Sequence, residues 1–266
     1  FLSITNATPS EVFVTRWLDF VAVYEAQQYR TEHPVAFSNW PTLDPIDHLV
    51  ESGFDDAETL DLRKITVDTQ FDPGIFFSYH AYPYYPEFIL HEPRFQVDDD
   101  MGPNSYLGYL DKLRAEYAGR TLIIAEIGLP SSQGSAHFAA SGLSHGGLDE
   151  REQGAATLRA LRTITRTKLN GAFVFELLDE WWKRAWVVER LELPGYRRPL
   201  WFNALSPEQN FGLVAMRPGA DEKHHQIDGL GMDFPDAPAT VQDAQLLTPR
   251  DAHDPLRTLR TLTMDS

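Results

Sequence analysis

Glu126 is the residue around which chemistry can be built. It lies in Thr121-Leu122-Ile123-Ile124-Ala125-Glu126-Ile127-Gly128-Leu129-Pro130-Ser131-Ser132, where an uncharged apolar run leads into one carboxylate and Gly, Pro and Ser then end the strand. A short apolar run bounded by turn residues reads as a strand buried on both faces, as parallel strands are. A carboxylate at its carboxyl end stands where α/β enzymes place their chemistry, and a charge there is costly unless it is partnered or used. The plain alternative is a Glu that salt-bridges at a strand end. Three other strand ends carry side chains of similar capability: Asn39 and Trp40; His80 and Tyr82; and Glu176, Asp179, Glu180 and Trp181. Carboxylate, amide, imidazole and flat aromatic faces together suit a polyhydroxylated ring, whose C–H faces stack on Trp and Tyr while its hydroxyls pair with the polar groups. Each residue also has a structural reading: Trp40 and Trp181 as core anchors, His80 as a hydrogen-bonded histidine, Tyr84 and Tyr85 as packing or a groove wall.

Those strand ends need elements to position them, and the chain supplies an alternating pattern. Thr8-Pro9-Ser10-Glu11 is a capping box with Pro at the first helical position, and Val14, Trp17, Leu18, Val21 and Tyr24 follow at helical spacing to about Arg30. Pro34 to Pro41 reads as a short strand, and residues 42 to 72, with Asp44, Asp47, Asp55, Asp56, Glu58, Asp61 and Asp68, as an irregular acidic excursion. Gly74 to His80 is the second strand. Asn104 opens a helix to about Tyr117, which Gly119 ends. After the Glu126 strand, residues 131 to 148 form a Gly-, Ser- and His-rich loop, with Gln133, His137 and His145 placed to fold over the mouth as a lid or subsite wall, or simply to form a surface loop. A helix over about 149 to 168 points Leu158, Leu161 and Leu169 at a core, and Gly171 to Glu176 is the last strand. Alternation of this kind predicts a parallel sheet in an α/β fold. Beyond Trp201 periodicity fades, and residues 216 to 266 read as a tail or the start of a further domain.

Composition excludes several classes. A chain of 266 residues that is 42% apolar and 23% charged can bury a large core. Its net charge of −16 argues against nucleic acid or an anionic membrane as partner. With no cysteine there is no disulfide and no thiolate metal site. No run of about 18 apolar residues occurs to span a membrane. A dinucleotide cofactor wants a Gly-rich turn after an early strand, whereas Gly146-Gly147 follows a loop. No metal is expected: His-Glu-x-x-His does not occur, His224-His225 lies in a polar stretch, and Asp98-Asp99-Asp100 lacks the spacing of a calcium loop. Gly128-Leu129-Pro130-Ser131 is not a nucleophile elbow, which disfavours a serine hydrolase.

Ala125-Glu126-Ile127-Gly128, Tyr79-His80-Ala81-Tyr82 and Trp181-Trp182 resemble the ends of the seventh, sixth and eighth strands in the (β/α)8-barrel clan of retaining glycoside hydrolases with two catalytic glutamates. Phe37-Ser38-Asn39-Trp40, Ser78 to Pro86 and Asp179 to Arg184 are similar to bacterial barrels of the family-two hydrolase type. The resemblance covers residues 1 to 215. It implies a TIM (β/α)8 barrel of which this chain supplies strands 5–8. It also implies Glu126 as nucleophile, a carbohydrate substrate contacted by Asn39, Trp40, His80, Tyr82, Glu176, Glu180 and Trp181, and no cofactor. Ile127 replaces the clan's usual aromatic, and the two tryptophans fall later after their strand than usual. The clan's acid/base Glu, normally preceded by Asn on the fourth strand, has no counterpart, since Asn-Glu does not occur. The chain also begins at Phe1 without a signal-peptide pattern, so it is expected to be part of a longer polypeptide whose N-terminal half of the barrel carries the acid. Hydrolysis, transglycosylation and non-catalytic binding of a polysaccharide all remain open, and the usual location of polysaccharides points outside the cytoplasm.

Overall fold

The structure, a computed structural model, describes residues 1–50, 59–198 and 203–214. Asp55, Asp56 and Glu58 of the acidic excursion, Trp201, His224-His225 and the segment 216–266 lie outside the described residues. The chain forms two compact units: one of residues 1–128, 137–145 and 157–175, the other of residues 129–136, 146–156 and 176 onward.

In chain order the elements are β1 (Leu2–Ile4), α1 (Pro9–Tyr29), β2 (Ser38–Asn39), β3 (Ile65–Val67), β4 (Phe77–His80), α2 (Phe88–His91), β5 (Asp98–Asp99), β6 (Gly102–Pro103), α3 (Ser105–Glu116), β7 (Leu122–Ile127), β8 (Ser135–His137), β9 (His145–Gly146), α4 (Glu150–Arg166) and β10 (Ala172–Val174). Strands β2, β4, β7 and β10 form one parallel sheet in the spatial order β10-β7-β4-β2, so neighbours in sequence are neighbours in space. The parallel α/β sheet predicted from the alternation is therefore present. It is open: four strands do not close on themselves, and a complete barrel is not seen among the described residues.

Local chemistry explains the helix ends. Thr8 Oγ1 accepts from Glu11 N–H at 3.3 Å while Glu11 Oε2 accepts from Thr8 N–H at 2.9 Å, which completes the capping box. Glu11 is itself buried and held by Lys64 Nζ at 2.9 Å, tying α1 to the chain just before β3, which pairs antiparallel with β1. Asn104 caps α3 by accepting from Leu107 N–H at 3.1 Å. Gly108 lets α3 approach the turn at Pro93–Phe95, since a Cβ there would sit 2.2 Å from the Phe95 carbonyl oxygen. Tyr79, Tyr106, Tyr109, Tyr117, Leu110, Leu113, Leu122, Ile124 and Ile127 make up the fully buried centre of the first unit.

Two helix faces differ from the sequence reading. On α1, Val14 is buried as expected, but Trp17, Val21 and Tyr24 face solvent. On α4, Leu158 is exposed, and the buried face is lined by Ala156, Thr157, Ala160, Thr163 and Ile164. Small and β-branched residues let α4 lie close, and Arg159 spans that face to Asp99 with Nε–Oδ2 and Nη2–Oδ1 contacts of 2.9 Å. The crossover from β2 to β4 contains, among the described residues, β3 and short 3-10 turns at Pro41–Leu43 and Leu62–Lys64 rather than an α-helix.

Candidate carboxylate site at the strand ends

Glu126 owes its position to a register shift. Strands β4 and β7 pair Phe77 with Leu122, Ser78 with Ile123 and Tyr79 with Ile124, and then slip so that His80 stands opposite Glu126. A bulge of this kind re-aims the side chains that follow it. Leu122, Ile124 and Ile127 stay fully buried, while the Glu126 side chain keeps 32% of its surface exposed. A charged group that is reachable yet backed by core is what chemistry at a strand end requires.

Two side chains engage that carboxylate on one oxygen. Tyr82 O–H donates to Oε2 at 2.9 Å, and His80 Nδ1 lies 3.2 Å from the same atom. Trp40 completes the group, with its ring centroid 6.1 Å from His80 and 6.2 Å from Tyr82. The backbone beneath is pinned by Ala81 N–H on the Glu126 carbonyl at 3.2 Å and by Tyr106 O–H on the Ala81 carbonyl at 2.8 Å. The first unit thus brings together four of the residues singled out in the sequence: Trp40, His80, Tyr82 and Glu126.

Asn39 is placed differently. It is buried, and its Nδ2 donates to the Leu43 and Leu60 carbonyls and to Tyr79 Oη, while Oδ1 accepts from Trp40 N–H at 2.9 Å. Both ends of its amide are engaged within the protein. Tyr79 Oη in turn meets Tyr117 Oη at 2.8 Å. A second buried network joins Asp44 to His48 Nε2 at 3.1 Å, to Tyr109 O–H at 2.9 Å and to Ile46 N–H at 2.7 Å. Burial pushes the Asp44 carboxyl above its ordinary value despite those donors.

From the sequence the rings beyond Tyr82 read as packing or a groove wall. Tyr84 is buried with its hydroxyl on the Gly128 carbonyl at 3.3 Å, and its ring lies parallel to His145 at 4.7 Å. Tyr85 contacts Trp40 at 6.2 Å and His137 at 5.0 Å. The signal was the proline-flanked run Tyr82-Pro83-Tyr84-Tyr85-Pro86, which holds successive rings on a stiff turn in which Tyr82 and Tyr85 form an antiparallel bridge.

Glu176, Glu180 and Trp181 belong to the second unit. There the segment after β10 is clasped by residues 209–214: Leu213 N–H donates to the Glu176 carbonyl, Val214 N–H to the Leu177 carbonyl, and Gln209 Nε2 to the carbonyls of Trp181 and Lys183. Gly212 N–H donates to Asp179 Oδ1 at 2.8 Å, and a Cβ on Gly212 would lie 2.6 Å from Asp179. Glu180 pairs with Lys183. Burial, then the neighbouring Glu180 charge, pushes the Glu176 carboxyl up to about 7. The same unit holds a polar groove of about 560 Å³ whose lining includes Ser131, Gln133, Asp149, Glu150, Asp179 and Asn210.

Among the described residues no group of three or more His, Asp or Glu side chains is arranged to hold a metal ion, and no helix is long and apolar enough to cross a membrane. The chain matches no protein-family model, no curated protein and no solved structure.

Proposed function

We propose that the protein is a glycoside hydrolase-like protein that acts on a poly- or oligosaccharide by a retaining, two-carboxylate mechanism with Glu126 as nucleophile. The observation that carries this reading is the Tyr82 hydroxyl on Glu126 Oε2 at 2.9 Å, with His80 Nδ1 on the same oxygen and Trp40 beside both rings. One oxygen is held by the protein, which leaves Oε1 as the attacking atom. An aromatic face stands where a sugar's C–H surface would stack.

In the first step Glu126 Oε1 forms a bond to the anomeric carbon as the bond from that carbon to the leaving oxygen breaks, giving a covalent glycosyl-enzyme. A carboxylic acid protonates the leaving oxygen. In the second step the same group, now a base, takes a proton from water, whose oxygen displaces Glu126 and restores it. Retention places the two carboxyl groups about 5–5.5 Å apart. This reading puts the acid, which the clan carries on the fourth strand, upstream of residue 1. The parallel sheet β2-β4-β7-β10 then corresponds to strands 5–8 of a (β/α)8 barrel. Asn39 serves by fixing the backbone of Trp40 rather than by touching sugar.

Aryl glycosides with a dinitrophenolate leaving group test the nucleophile, because that group departs without protonation. The chain is expected to release one equivalent of dinitrophenolate and to gain the mass of one sugar on Glu126, and Glu126→Gln is expected to do neither. Labelling at another residue, or release unchanged in Glu126→Gln, would remove Glu126 from the role. Adding an acceptor sugar separates hydrolysis from transglycosylation by product. The lack of an Asn-Glu pair in the sequence favours a second reading, a carbohydrate-binding module without turnover. Sugar binding with no labelling at all would establish that one.

A further inference from the structure

The rings around Glu126 do not stop at Trp40. From Trp40 the next ring is Tyr85, at 6.2 Å and turned by 51°, and beyond it His137 lies 5.0 Å away, turned by 43°. Adjacent tyrosines divide the labour. Tyr84 is 3% exposed, bonded to the Gly128 carbonyl and stacked on His145, so it is core. Tyr85 keeps part of its surface in solvent and neighbours two rings, Trp40 and His137. His137 is stacked in turn, near-parallel to His145 at 5.6 Å and to Tyr84 at 6.3 Å, so it is a fixed support and not a mobile loop side chain. Its Nδ1 lies 3.6 Å from Glu87 Oε1, on the residue following Pro86.

We propose that Tyr85, buttressed by His137, is a second sugar platform outward from Trp40, which makes the site select a chain of sugar units over a single ring. The proposal rests on the carbohydrate reading of the Glu126 site and adds the residue that holds a second sugar unit. Ring-to-ring steps of this length are comparable with one pyranose unit. A phenol offers a flat stacking face. The turn between successive rings suits a chain whose units rotate along its length rather than a flat ribbon. Pro83 and Pro86 hold the segment stiff, so little side-chain or backbone freedom is lost when a sugar lands on Tyr85.

The test is a binding titration of the 266-residue chain against linear gluco-, manno- and xylo-oligosaccharides of one to six units, read by calorimetry. Affinity is expected to rise about tenfold on passing from one unit to two or three for the sugar that binds. Tyr85→Ala should remove that step and leave the affinity for the single sugar unchanged. Trp40→Ala should weaken every length. His137→Ala should flatten the length dependence and His137→Phe should restore it, because what is needed there is a flat ring. Equal affinity at all lengths, or a length step that survives Tyr85→Ala while Trp40→Ala still matters, overturns the platform and leaves the carbohydrate site standing. Indifference to Trp40→Ala, or no binding by any member of the panel, overturns the carbohydrate reading and the platform with it.

Discussion

The first unit carries two aromatic groups of similar spacing and opposite character. On α1, Phe13, Trp17, Phe20, Tyr24 and Tyr29 touch one another in sequence with centroid distances of 5.7 to 6.3 Å. At the strand ends, Trp40, Tyr82, Tyr84 and Tyr85 do much the same at 5.5 to 6.2 Å. The α1 rings are 47% to 67% exposed, and a shallow groove among them is lined by Phe13, Arg16, Trp17 and Phe20. The strand-end rings are interleaved with Glu126 and His80 and are fastened by hydroxyls to Glu126 and Gly128. Ring density alone therefore marks no site. What separates the two is the convergence of directional polar atoms on a space beside the rings, and only tertiary structure supplies it.

Substitutions can break or sharpen that contrast. The largest effect is expected at Asn39, the support behind the strand-end group. Asn39→Leu takes the amide donor from the Leu60 carbonyl and the acceptor from Trp40 N–H in the core and should cost about 3 kcal/mol, read as a lowered denaturation midpoint. If it costs nothing, the strand-end group is no better anchored than the α1 stripe. Next, Trp40→Ala should weaken oligosaccharide binding by about thirtyfold, close to 2 kcal/mol, whereas Trp17→Ala on α1 should leave binding within about twofold. Equal losses would erase the distinction. Tyr82→Phe removes the hydroxyl on Glu126 and should slow dinitrophenolate release by about tenfold with the fold unchanged by circular dichroism.

A pH series brings in the second unit. Because Glu176 holds its proton up to about 7, against an ordinary 4.5, the folded state binds more protons than the unfolded state across that window. Stability should therefore fall as pH rises from about 4.5 to 7, and Glu176→Gln should flatten that slope in thermal melts. The smallest effect belongs to α1: Phe20→Ser should change stability by less than about 0.5 kcal/mol, because the ring it removes is already in water.

The parallel sheet was legible because each of its strands is an apolar run ended by turn residues, and Glu126, His80, Tyr82 and Trp40 were legible because they follow those runs directly. The capping box of α1 and the Asn104 cap of α3 were legible too, since a cap is a local device that needs only residues three apart. Asn39 was not, for its neighbours at 60 and 79 are distant in sequence, and only they turn a surface amide type into a buried one. The faces of α1 and α4 were misread for a related reason. Helical spacing shows that a stripe exists without showing which stripe is covered, and on α4 small residues and one arginine, not the leucines, meet the rest of the unit. The slip between Tyr79 and His80 leaves no trace in composition, since a bulge depends on how two strands pair.

The hydrogen bond from Trp40 N–H to Asn39 Oδ1 has a kinetic consequence. That proton can exchange with solvent only when Asn39 turns away, and Asn39 is held by the hydroxyl pair of Tyr79 and Tyr117 in the centre of the unit. A residue at the rim of the site thus shares its opening events with the core, so its amide should exchange on the slow clock of Leu122 and Ile124 rather than on that of the surrounding loops. Trp40 would then report, from the mouth of the site, how often the interior breathes.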